Sequence, residues 1–100
     1  MIVTSTLEEL SLLKGQVKKA IHELQSQADS NNYTFDVVAY VNRLFYKNGL
    51  DYFFYTIREL ILRIPEEKRS DYYTEEEMFA DWERLDELFE EFEMNGYQGF

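Results

Sequence analysis

Apolar side chains recur at steps of three and four through most of this chain, and a single proline, Pro65, interrupts them. That period belongs to helices with one buried face, because 3.6 residues per turn bring such positions into line. Leu10, Leu13, Val17, Ala20/Ile21 and Leu24 make a first stripe, and Val37/Val38, Val41 and Leu44/Phe45 a second. Leu50, Phe53/Phe54, Ile57, Leu60/Ile61 and Ile64 make a third, and Met78, Trp82, Leu85, Leu88/Phe89 and Phe92 a fourth. The expected fold is therefore all-α. Four helices, near residues 7–28, 35–47, 51–64 and 75–94, follow the order long-short-short-long in a compact bundle-like array with antiparallel neighbours.

The residues between the stripes set the expected ends. Ser5-x-x-Glu8 and Thr6-x-x-Glu9 read as overlapping capping boxes at the first helix, and Asp29-Ser30-Asn31-Asn32 breaks it. Thr34 is the expected N-cap of the second helix, with Asp36 in its first turn. Asn48-Gly49 is a hairpin signal between apolar runs and equally a helix stop. Neither flank alternates with period two, so helices are expected on both sides. Asp51 is the expected cap of the third helix and Pro65 its stop. PEEKR is expected to add a single turn and RSDYY a loop. Thr74-x-x-Glu77 opens the fourth helix, which ends at Asn95-Gly96.

One hundred residues, 45% of them apolar, suit one domain spanning 1–100. No Cys is present, which excludes disulfides and thiolate metal sites. The N-terminus lacks a basic stretch followed by an apolar one, and no apolar run reaches the ~20 residues of a membrane span. A cytoplasmic protein is expected. Its net charge of −10 is unevenly placed. Residues 1–65 hold seven acids and seven bases, whereas residues 66–100 hold thirteen acids against Lys68, Arg69 and Arg84. Free nucleic acid and anionic membrane are poor partners for such a chain, and a basic surface is a good one.

The excess gathers in EEEMFADWERLDELFEEFE, residues 75–93, with ten acids and one base. Pairs such as Glu83–Glu87 and Glu87–Glu91 repel by a few tenths of a kcal/mol each, and acids near the C-terminal end oppose the helix dipole. Local stability does not explain this composition. One alternative is a solvated face, or a helix lying beside Lys14, Lys18, Arg43 or Arg58. Another is imitation of a nucleic-acid backbone. The stretch spans ~30 Å of helix, over which one DNA strand carries roughly nine phosphates. The run DWERLDELFEEFE (Asp81 to Glu93) resembles the acidic C-terminal helices of small phage-encoded inhibitors of restriction and CRISPR nucleases. Acidic immunity proteins that neutralise nuclease toxins share the style. The resemblance implies occlusion of a nucleic-acid site, in a bacterial host cell if the chain is phage-encoded. Such DNA mimics spread acid over the whole surface, and the neutral first 65 residues favour a one-faced inhibitor instead.

Catalysis is not expected. His22 is the only histidine, and neither a phosphate loop nor an EF-hand pattern is present. No cofactor or metal is expected. Eight Tyr supply rigid contact area with polar tips. Tyr46, Tyr72 and Tyr73 fall near element ends, and Tyr72/Tyr73 beside the acidic helix form the candidate contact patch. The tail Tyr97-Gln98-Gly99-Phe100 either docks back on the bundle or holds a partner. The expected function is a non-enzymatic, protein-binding inhibitor. Glu83, Asp86, Glu87, Glu90 and Glu91, with Tyr72 or Tyr73, would engage the Lys/Arg of a nucleic-acid-handling protein. The alternative is a structural or assembly protein forming a homodimer or larger homo-oligomer.

Overall fold

The computed structural model describes residues 3–45 and 49–96, so the expectations for Tyr46, Asn48 and the tail from Tyr97 to Phe100 lie outside the described residues. Its helices are α1 (Thr4–Asp29), α2 (Val37–Leu44), α3 (Leu50–Leu62) and α4 (Glu75–Gly96), with a 3-10 turn at Glu66–Asp71 ahead of α4. Among the described residues there is no strand, and the helices α2 and α3 stand where the two strands of a hairpin would have stood. No helix is long and apolar enough to cross a membrane. The fold is all-α.

The apolar stripes are buried as their period predicts. Leu10, Val17, Ala20 and Leu24 of α1 face Phe54, Ile57 and Ile61 of α3 and Met78, Leu85 and Leu88 of α4 in one core. Each fully buried Leu, Ile or Phe contributes roughly 1.5–3 kcal/mol of transfer free energy. The second stripe behaves differently. No residue of α2 is fully buried, and Val38 is 66% exposed.

Contacts across the core give the helix directions. Lys18, Gln25 and Tyr33 meet Asp81, Arg84 and Phe92 in that order, so the two long helices run parallel. Arg58 meets Glu75 and Phe54 stacks on Trp82, so α3 runs antiparallel to α4. The cause is the length of α2. Its eight residues span only ~12 Å and cannot return along α1. It turns the chain at one end, where Phe45 packs edge-on against Phe53 at 4.3 Å, and α3 makes the return run.

Several caps differ from expectation. Helix α1 starts at Thr4 after Val3, and neither capping box at its start forms. Thr6 is buried one turn before Leu10 on the same face, so packing draws an extra helical turn over the hydroxyls that would have capped it. In α2 the cap is Asp36, whose carboxylate accepts from the Ala39 N–H at 3.0 Å, while Thr34 donates instead to Asn32. Gly49, at φ +87°, precedes α3 directly, and Asp51 lies in the first turn without capping it. Only half of the last box forms: Thr74 Oγ1 accepts from the Glu77 N–H at 3.1 Å, and the Glu77 carboxylate turns to α1. The turn expected of PEEKR runs on to Asp71, shortening the loop before Tyr72.

Candidate functional site: the acidic face of the fourth helix

Nine of the ten acids of α4 divide into two groups, and the tenth, Glu76, is exposed in the first turn with no ion-pair partner among the described residues. The first group is neutralised by the molecule itself. Because α1 and α4 run parallel, Lys14 and Lys18 lie opposite Glu77 and Asp81, and both pairs have a spacing of four. Lys14 reaches Glu77 at 3.5 Å and Lys18 reaches Asp81 at 2.8 Å. Arg58 of α3 bonds Glu75 at 2.9 Å. Arg43 joins no such pair among the described residues. The Tyr73 hydroxyl donates to Asp81 Oδ2 at 2.6 Å, and the ammonium of Lys14 lies 5.0 Å from the Tyr73 ring centre. Burial raises the Tyr73 phenol well above its ordinary range, and the bond to Asp81 and the charges of Asp81 and Glu77 push it the same way. This end of α4 is a structural clamp between helices.

The second group is left open. Glu83, Asp86, Glu87, Glu90 and Glu93 are exposed and Glu91 is half-buried. None of the six has an ion-pair partner among the described residues. Arg84, the one base of the helix, does not offset them, because its guanidinium donates to the Gln25 side chain on α1. Burial raises the Asp86 carboxyl above its usual range, and the Asp51 charge at the start of α3 adds to the effect. Glu83, Glu87 and Glu90 form one strip along the outer face at steps of four and three, within ~11 Å of helix.

All five expected carboxylates lie on α4, with Glu83, Glu87 and Glu90 in one exposed strip and Glu91 half-buried, and the two tyrosines lie apart from that strip. Tyr73 is only 1% exposed, so it belongs to the core rather than to a contact patch. Its ring fills space between α1 and α4, a role that a position just before the helix does not announce. Tyr72 is exposed, but it precedes the clamped end of α4, and its carbonyl accepts from Lys14 Nζ at 2.6 Å. Glu87 lies about three turns further along the helix, ~18 Å from its start.

Two further features were not apparent in the sequence. Phe79 and Trp82 of α4 are near-parallel at 6.3 Å, and Trp82 stacks on Phe54 at 4.8 Å, which leaves Phe79 partly exposed among the acids. A groove of about 510 Å³ lies between α2 and the C-terminal part of α4. Phe35, Val38 and Val41 line one side of it and Phe89 and Phe92 the other, with Asp36 and Glu93 among its polar lining. The second stripe carried a signal for it: a two-turn helix with adjacent Val37 and Val38 has more apolar surface than one contact face can bury. His22 is exposed on α1. Compared with known proteins, the chain matches no family model, no curated protein and no solved structure.

Proposed function

We propose that the chain is a non-enzymatic inhibitory binding module whose α4 presents Glu83, Asp86, Glu87, Glu90 and Glu91 to a basic groove on a nucleic-acid-handling protein. A nuclease or a CRISPR or restriction complex is the proposed partner type. The observation that supports this reading is the unequal treatment of the acids on a single helix. Lys14, Lys18 and Arg58 pair with Glu75, Glu77 and Asp81 in the first two turns of α4, and the six carboxylates from Glu83 onward stand unpaired among the described residues. Fixed on a helix, they lose little freedom on meeting Lys or Arg that otherwise hold phosphates. Tyr73 has no part in the contact.

The test is competition. The chain should displace nucleic acid from a basic partner, with an affinity that falls as salt rises. Reversing Glu87 and Glu90 to Lys should weaken that complex by at least about tenfold, or about 1.4 kcal/mol, while leaving the helical content unchanged. Undiminished affinity in E87K/E90K would reject this interface.

A homo-oligomer is the second reading. It is favoured by Leu12 on α1 and by Tyr52, Tyr55 and Leu62 on α3, all exposed large apolar side chains. Light scattering separates the two, because burial of those residues between copies would give a salt-insensitive oligomer.

A further inference from the structure

The groove between α2 and α4 sits beside the unpaired carboxylates, and the two together describe one ligand. We infer that the groove receives a short amphipathic helix of the partner, with apolar side chains on one face and Lys or Arg flanking them. This inference rests on the acidic-face reading above and specifies the element that would meet it.

Shape and charge support it. Val38 and Val41 of α2 and Phe89 and Phe92 of α4 line the same apolar groove, in which Val38 is exposed and Val41 partly buried. Residues 37 to 42 of α2 extend ~9 Å, close to the ~11 Å over which anchors at i, i+3/i+4 and i+7 of a docked helix are spread. Among the described residues no basic side chain lines the groove, and Asp36 and Glu93 are its charged members. Glu90 and Asp86 continue the acid one and two turns back along α4. An apolar floor with an acidic border selects an apolar stripe with cationic flanks. A second copy of this chain fits poorly, because its net charge of −10 would set acid against acid.

The probe is a synthetic 16-residue helical peptide with Leu at i, i+3, i+7 and i+10 and Lys on its flanks. It is compared with a scrambled peptide of identical composition and with oligolysine, using the full chain, by fluorescence anisotropy and amide chemical-shift mapping. The patterned peptide should bind about tenfold more tightly than the scrambled one. Its shifts should centre on Val37, Val38, Val41 and Phe89. Replacing the exposed Val38 by Asn should weaken the patterned peptide about fivefold and leave oligolysine unaffected, whereas E90Q/E93Q should weaken both. Equal binding of patterned and scrambled peptides, or shifts that avoid the groove, would overturn the inference. If oligolysine still binds at Glu83, Glu87 and Glu90, the groove inference falls and the acidic-face reading stands. If none of the three probes binds, both fall.

Discussion

Asp81 and Asp86 lie five positions apart on one helix and have opposite fates. Asp81 is 13% exposed at its side chain, holds the Lys18 ammonium and accepts the Tyr73 hydroxyl. Asp86 has no ion-pair partner among the described residues, and burial first and the Asp51 charge second raise its carboxyl. Replacing Tyr73 by Phe should remove about 1 kcal/mol of stability, measured by urea denaturation. It should also alter alkaline unfolding. The folded phenol ionises above its unfolded range of about 10, so its contribution is complete below that pH and is lost as pH rises past it. That part of the alkaline loss should be missing in Y73F. The raised Asp86 carboxyl has the same sign. Its folded form holds the proton more tightly, so at neutral pH its ionisation opposes folding, and acidification through the carboxylate range relieves it. Asp86→Asn should therefore stabilise the chain at pH 7 by a few tenths of a kcal/mol and lose that advantage near pH ~3.9. If Asp86 serves binding, the same change should weaken the complex.

Helix by helix, the periodicity of the sequence is informative throughout and the ends only in part. The Asp29 break and the Thr74 cap appear as expected, and the caps at Ser5, Thr6, Thr34 and Asp51 do not. The stripes through Val17, Ile57 and Leu85 named the core because spacing alone decides which side chains share a face. The caps at Ser5 and Thr6 failed because burial of Thr6 is a tertiary effect. The pairing of Lys14 and Lys18 with Glu77 and Asp81 joins residues some sixty positions apart, and it depends on α1 and α4 running parallel. Spacing within a stripe says nothing of direction across the core. The short α2 carried the deciding hint, since a helix of two turns cannot reverse the path of one more than three times its length. Two glycines separate the helix-level effects further. Gly15 lies inside α1 with open space where a Cβ would stand, so Gly15→Ala should stabilise by about 1 kcal/mol. Gly49 has equally open space but φ +87°, so Gly49→Ala should destabilise by about 1 kcal/mol through backbone strain. Thermal melts of the two variants should move in opposite directions.

For the whole molecule, the neutral first 65 residues are not spread evenly beneath the acidic third. Three of their seven cations, Lys14, Lys18 and Arg58, are committed to the first two turns of α4, and the unpaired acids from Glu83 onward lie along the rest of the helix, towards the groove. The sequence held the sum of these charges, and the fold supplies their arrangement. The most direct measurement sets charge reversal in the open half against loss of charge in the clamped half, reading affinity for a basic nucleic-acid-binding partner as a function of salt. E83K/E87K/E90K should abolish measurable binding and flatten the salt dependence at unchanged helical content. E75Q/E77Q should lower the melting temperature and leave affinity within about twofold, since those carboxylates face the molecule's own bases. Full affinity in the first variant, or loss of affinity in the second alone, would contradict the proposed division of α4 into a clamp and a binding face.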